Sequence, residues 1–292
     1  MFDSRKLEER AHWIFPAPAV LAVVIAVVFP LIYTIWMSFH NWSGQSTQDP
    51  IWVGLDNYRQ ALFHDHRFWG AVIRTLYFTA LALTFQVTTG VAIAVLMHRE
   101  FPGRSIFRTI MLLPMVTTPV VVALTWTLIL NPIQGIGPYL WNELGLSQVE
   151  WLANPRVVIL TLALVDTWQW TPLIALITLA GLASLPTEPL EASIIDGASA
   201  WQTFWHITLP LLRPAIMVAT LFRAIDAIKT FDIIFAMTQG GPGNASETLN
   251  IYVFQMAFSY QRIGFASALL VLFFILVLMI SLVLIRLRRS SW

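Results

Sequence analysis

Residues 14–37, 75–97 and 263–285 each run for more than twenty positions without an Asp, Glu, Lys or Arg. An α-helix rising ~1.5 Å per residue needs ~20 such residues to cross the hydrocarbon core of a bilayer. Inside lipid the backbone must satisfy its own polar groups, so a chain with these runs is committed to membrane-spanning helices. Composition agrees. Only 11% of the 292 residues are charged and 57% are hydrophobic. That is too apolar for a disordered chain, and it leaves too few charges to cover a soluble globule. The formal charge of +1 offers no general attraction to nucleic acid, and the absence of cysteine excludes disulfides and thiolate chemistry.

Three further stretches qualify less cleanly. Residues 109–142 are uncharged, but Asn131-Pro132 and Gly135-Ile136-Gly137-Pro138 predict a helix end near Leu130. Residues 157–184 are apolar apart from Asp166. Residues 211–237 carry Arg213, Arg223, Asp226, Lys229 and Asp232. The expected fold is therefore all-α and integral to the membrane. It has six spans, near 14–38, 71–97, 106–130, 157–182, 211–237 and 263–286, in a single transmembrane domain over 1–292. The first span is too long for a cleaved signal peptide, and Tyr33, Trp36 and Phe39 stand where small cleavage-site residues belong. Trp13, Trp36, Trp42, Trp69 and Trp151 suit interfacial belts.

Arginine and lysine set the orientation. Arg5, Lys6, Arg10, Arg99, Arg104, Arg108, Arg213, Arg286, Arg288 and Arg289 fall on the side of the termini, ten in all. Arg59, Arg67, Arg74, Arg156 and Arg262, five in all, flank the other side. The bias predicts both termini in the cytoplasm. The outside loops, about 39–70, 131–156 and 238–262, are long. In the first, Asp56 is expected to cap a short helix through Tyr58, Ala61 and Leu62 along the membrane surface.

The second inside loop is unusual. Thr187 is a good N-cap, Glu188 sits at the positive end of a helix and Pro189 suits a first turn. Asp196-Gly197 predicts the end of that helix. Ser199 can cap a second helix with Trp201, Phe204 and Trp205 on one apolar face, and Pro210 is expected to break it before the fifth span. Two short helices across the cytoplasmic face result. Read from the residues alone, this hairpin either anchors the loop at the interface or meets a soluble partner.

The spacing carries a resemblance. Glu191-Ala192-Ser193, Gly197 four residues later, and Ile207-x-Leu209-Pro210 resemble the EAA motif of bacterial ABC-importer permeases, with Ser193 in place of the usual second Ala. Asp166-Thr167-Trp168-Gln169-Trp170-Thr171-Pro172, the run from Phe222 to Asp232, and Thr238-Gln239-Gly240-Gly241-Pro242-Gly243-Asn244 look like carbohydrate-importer permeases. The Gly-Gly-Pro-Gly run is similar to the first, maltose- and glycerol-phosphate-type, permease subunit. The resemblance implies a non-catalytic subunit of an ATP-driven importer in the bacterial inner membrane. It implies alternating access, with ATP and Mg held by separate subunits, and the chain has no phosphate-cradling Gly-x-x-x-x-Gly-Lys-Ser/Thr loop.

The implied partners are a second permease, two cytoplasmic ATPase subunits, an extracytoplasmic binding protein, membrane lipids and a sugar-like solute. The 187–207 hairpin becomes the coupling element. Glu191 would pair with a basic residue of the ATPase and Gly197 would give a tight bend or close approach. Ala192, Ser193 and Ala198 would be small for close packing, with Asp196, Ile207, Leu209 and Pro210 completing the motif.

Arg223, Asp226, Lys229 and Asp232 recur at a spacing of three with alternating sign, a ladder that can neutralise itself along a helix. Ionisable groups at membrane depth face a cavity or a partner. Asp166, Trp168, Gln169, Trp170, Arg223, Asp226 and Lys229 therefore are candidates to line a substrate pathway between spans four and five. The competing reading is that they only fasten helices. Gly240-Gly241-Pro242-Gly243 either reaches toward the binding protein or ends span five. A secondary carrier using Asp166, Asp226 and Lys229 would explain the intramembrane charges but not the coupling-type loop. His64-x-His66 reads as solvated loop histidines, not a metal site.

Overall fold

The computed structural model describes residues 15–45, 47–147 and 149–289. Ile14, Trp13, Arg5, Lys6 and Arg10 lie outside the described residues, as do the side chains of Arg288 and Arg289. The chain divides into two compact units, residues up to Asp65 with Val253–Phe274, and His66–Tyr252 with the residues from Ile275 onward.

In the first unit, α1 (Ala17–Ser38) is apolar throughout and almost wholly exposed. A two-residue antiparallel pairing of β1 (His40–Asn41) with β2 (Ile51–Trp52) follows. The short helix α2 (Asp56–Arg59) continues as one π-turn over Gln60–His64. The expected helix is present, but Leu55 is its N-cap and Asp56 makes no side-chain cap. Asn57 instead ties α2 down, its buried Nδ2 donating to the carbonyls of Ser38 and His40 at 2.8 and 3.0 Å.

The second unit is built on α3 (His66–His98) and α7 (Val158–Ala183), which lie against each other over much of their length. Small residues permit the close approach. A Cβ on Gly90 would come within 2.8 Å of Ile174, and one on Gly181 within 2.7 Å of Ala215 in α10 (Leu209–Ile228). One buried cluster gathers Phe78, Ala82, Val122, Leu162 and Ile234. A second gathers Ala94, Met97, Leu179 and Leu212.

Two expected spans depart from simple rods. The third is α4 (Arg104–Val116) and α5 (Pro119–Ile129), bent by 100°. Pro119 drives Thr118 out of the helical region, to φ −64° and ψ 141°. The bend releases the carbonyl of Thr117, which accepts from Gln169 Nε2 in α7 at 3.0 Å. As expected, α5 stops at Leu130, and α6 (Ile136–Glu143) follows. The fifth is interrupted: α10 ends at a C-cap on Lys229, and α11 (Asp232–Thr238) restarts after Phe231.

Among the described residues, four helices are long and apolar enough to cross a bilayer singly, namely α1, α3, α7 and the last, α13 (Ile263–Arg289). The α4–α5 pair makes a fifth if taken as one span. A short α12 (Leu249–Phe254) precedes α13.

Candidate functional site

Arg223 is the largest fully buried side chain among the described residues, and its surroundings explain how a guanidinium survives there. It forms an ion pair with Asp166 Oδ2, itself fully buried on α7. Its Nε donates to Gln86 Oε1 of α3 at 2.9 Å, and Gln86 Nε2 donates to the same Asp166 Oδ2 at 2.8 Å. Its Nη1 donates to Asp226 Oδ2 at 2.7 Å, one helical turn along α10. The guanidinium also lies 5.1 Å from the ring centre of Trp170. Three helices are thereby joined through one cation, each polar contact removing part of the cost of burying it.

The node borders open space. A cavity of about 150 Å³ is lined by Asp166, Trp170, Asp226, Lys229, Asp232 and Pro119. Asp166 Oδ1 is buried and accepts no hydrogen bond from the described residues, and the same holds for Gln169 Oε1. Asp226 is 55% exposed at its side chain although its partner is fully buried. The cavity is thus bordered by the buried Asp166, the exposed carboxylate of Asp226, the exposed Lys229 and the indole ring of Trp170.

The structure sorts the candidate pathway residues. Asp166, Trp170, Arg223, Asp226 and Lys229 come together. Gln169 is buried and turned to the α4–α5 bend. Trp168 points the other way, into an apolar groove bounded by Ile110, Leu113 and Leu164, with an edge-on contact to Trp126 at 5.8 Å. Successive residues of a helix advance ~100°, so 166 and 170 share a face that 168 cannot. The expected charge ladder is realised only in its first step, Arg223–Asp226. The break at Lys229–Phe231 takes Lys229 and Asp232 off the helical register, and Asp166 supplies Arg223 with its other carboxylate. Gln86 was missed because an amide carries no charge to mark it in an apolar run.

The hairpin forms much as its residues dictate. Its first arm, α8 (Glu188–Ile195), starts at Thr187, which occupies the N-cap position without a side-chain bond. It ends in a Schellman pair, Ala198 N to Ser193 O at 2.9 Å and Gly197 N to Ile194 O at 3.1 Å, with Gly197 at φ +72°. Nothing in the chain approaches within 4 Å of where a Gly197 Cβ would sit, so the bend, not close packing, explains the glycine here. Ser199 and Gln202 form a reciprocal capping box at the start of α9 (Ala200–Thr203). Ser193 is the buried pivot between the arms, accepting from Thr203 Oγ1 at 3.3 Å, whereas Ala198 is half-buried and Ala192 is exposed. Glu191, Ile194, Ile195 and Asp196 also face outward, and Trp201, Phe204 and Trp205 cluster as expected.

One expectation fails. Pro210 does not break the second arm: α9 passes through a π-turn, Phe204–Thr208, directly into α10. Proline clashes with the carbonyl four residues back and cannot donate to it. The wider turn, in which Leu209 N donates to Phe204 O, absorbs both penalties without ending the helix. Ile207, Leu209 and Pro210 lie half-buried on this continuous rod.

At the far end of α11, Gln239, Gly240, Gly243 and Asn244 all take positive φ. The turn is internally braced: Ser246 Oγ bonds Thr238 Oγ1 at 2.8 Å and the Gly241 carbonyl at 2.5 Å, and Ser246 N donates to Gly240 O at 3.2 Å. Gly241 and Pro242 are half-buried and Gly243 is exposed at the tip.

Comparison with known proteins gives one consistent picture. The family described as the binding-protein-dependent transport system inner membrane component matches residues 86–290. A probable ABC transporter permease of Sinorhizobium fredii is 40% identical over 280 residues, covering 94% of this chain and 89% of the relative. A trehalose/maltose transport system permease of Thermococcus litoralis is 33% identical, covering 97% and 95%. Among solved structures, a bacterial alginate ABC transporter in complex with an alginate pentasaccharide-bound periplasmic protein contains a chain with the same fold. Its TM-score is 0.83 at 23% identity, with 98% of this chain and 96% of that one covered.

Proposed function

The chain belongs to the family of binding-protein-dependent transport system inner membrane components, and we propose that it is the permease subunit through which a sugar-like solute enters the cell. The trehalose/maltose relative supports that solute class. Both termini lie in the cytoplasm. The chain itself is non-catalytic: two partner ATPase subunits bind ATP and Mg, a second permease completes the pathway, and an extracytoplasmic binding protein delivers the solute onto the loop at Gly240, Gly241, Pro242 and Gly243.

The observation that carries the mechanism is the unbroken helix from Ala200 to Ile228. At ~1.5 Å per residue it is a rod of ~43 Å. One end holds the coupling hairpin and the other holds Arg223 and Asp226. Closure of the ATPase dimer pushes on the exposed face of α8, with Glu191 and Asp196 meeting basic groups and Ile194 and Ile195 filling an apolar groove of the ATPase subunit. Ser193 locks α8 to α9, so the push is delivered to the rod. Movement of the rod shifts Arg223 against Asp166 on α7 and changes the cavity between them, a rigid-body route to alternating access.

The cavity suits a polyhydroxy ligand. Asp226 accepts hydrogen bonds from ligand hydroxyls, Lys229 donates, Trp170 offers a flat apolar face, and Asp166 stands buried at the cavity wall. The test is Glu191→Lys in transporters reconstituted into vesicles. Insertion and assembly are expected at the wild-type level, while uptake and binding-protein-stimulated ATP hydrolysis fall together. Wild-type uptake by that variant would remove the hairpin from the coupling path.

A further inference from the structure

Glu247 is a fully buried carboxylate, yet it stands on a loop outside the spans, and the proposed pathway does not use it. Arg67 grips it with two bonds, Nε to Oε2 at 2.9 Å and Nη2 to Oε1 at 2.5 Å. Arg74, two turns further along α3, places Nη2 at 3.6 Å from Oε2 and donates from Nε to the Glu247 carbonyl at 2.8 Å. Arg67 also stacks on Tyr252 at 5.0 Å, and Thr75 Oγ1 accepts from Leu249 N at 2.8 Å. The far side of the same loop is braced to α11 through Ser246 and Thr238. Between these two anchorages stands the Gly241-Pro242-Gly243 tip. Gly240 packs so closely on Glu247 that an added Cβ would lie 3.3 Å from the Glu247 Cβ.

We infer that Arg67 and Arg74 are positioning residues that, through Glu247, hold the 239–248 loop on the outer end of α3 in the pose a binding protein docks against. The inference rests on the docking role proposed above for the loop tip. The physical case is that a buried carboxylate needs its partners, so losing either arginine leaves Glu247 under-compensated and loosens the loop's hold on α3. The arginines are 26% and 22% exposed at their side chains and do not require Glu247 in order to be solvated. The ion pair therefore fixes the loop without being needed to hold α3 in place. Preset loop geometry removes the ordering cost from docking, which is where a latch acts on affinity.

The experiment uses the complete transporter in vesicles, titrated with its solute-loaded binding protein, with ATP hydrolysis as the readout. Glu247→Gln is expected to raise the half-saturating concentration of binding protein about tenfold, equivalent to about 1.4 kcal/mol. Arg67→Lys keeps the charge but loses the two-pronged grip, and is expected to give a smaller rise in the same direction. The double variant Arg67→Lys/Glu247→Gln should be no worse than Glu247→Gln alone, because the two side chains act as one contact. A half-saturating concentration within twofold of wild type in assembled Arg67→Lys transporter overturns the latch, and that result stands even if Glu247→Gln fails to assemble. A wild-type transporter that ignores its binding protein would instead overturn the docking role itself.

Discussion

Among the described residues, two carboxylates are completely buried against arginine, and they are neutralised in opposite ways. Glu247 has both oxygens engaged by arginines that keep one side in solvent. Asp166 is matched by an arginine as buried as itself, which it shares with Gln86 and Asp226, and one of its oxygens is left without a donor beside a cavity. A saturated pair with exposed cations describes a fastening. An unsaturated pair beside a cavity, with a competing carboxylate one turn away, describes a site that can take a ligand and rearrange.

The sharpest way to break that contrast is to remove the cations. Arg223→Met removes the cation that Asp166 pairs with inside the helix bundle, a change that costs about 3–5 kcal/mol in comparable buried pairs. It should give the largest drop in thermal unfolding midpoint of any variant considered, and the double change Arg223→Met/Asp166→Leu should recover most of it. A single variant as stable as wild type would mean that the node does not hold the helices together. For Glu247→Gln the stability loss should be smaller, about 1–3 kcal/mol, because the arginines left behind reach water. At a similar cost, Gly181→Ala tests packing without charge. Its new methyl would meet Ala215 at 2.7 Å, so α7 and α10 must separate, at about 1–3 kcal/mol. If that substitution is neutral in unfolding and in uptake, the rod is not tightly packed on α7 and its proposed leverage weakens.

How much of this was legible in the sequence differs between the two carboxylates. Asp166 announced itself as the lone charge in an apolar run of 28 residues, 157–184. Its partner was also visible, but the i,i+3 rule pointed Arg223 along its own helix, whereas the stronger contact crosses to α7. Glu247 carried a quieter signal: it is the only acid after Asp232. In the sequence Arg67 and Arg74 look like interfacial flanks, since nothing local links them to a residue more than 170 positions away. The hairpin was more readable because caps and turns are local chemistry, and Ser199, Gln202 and Gly197 do what their types suggest. Pro210 misled for the complementary reason. Proline forbids one hydrogen bond but does not dictate whether the helix stops or widens, and packing of the continuing rod decides that. The bend at Thr117–Thr118 was encoded in the Thr-Pro step, although its extent depends on Gln169 receiving the freed carbonyl.

The smallest expected stability effect is the most informative about function. Asp226 pairs with Arg223 from a side chain that is more than half exposed, so solvent screening should hold the loss on Asp226→Asn below about 1 kcal/mol. Arg223 would keep Asp166 and Gln86, and the node should stay closed. If Asp226 only fastens helices, this near-silent change in stability should be equally silent in transport. If the cavity carries the solute, Asp226→Asn exchanges a carboxylate acceptor for an amide at the cavity wall. It should then raise the solute concentration needed for uptake without altering the unfolding midpoint. Asp166→Asn cannot make that separation, since it disturbs the ion pair and the cavity together. Asp226 can, because its position on the rod ties it to the node on one side and leaves it open to the cavity on the other. Uptake by Asp226→Asn with wild-type solute dependence would place the solute elsewhere and reduce the Asp166–Arg223 node to the kind of fastening that Glu247 already represents.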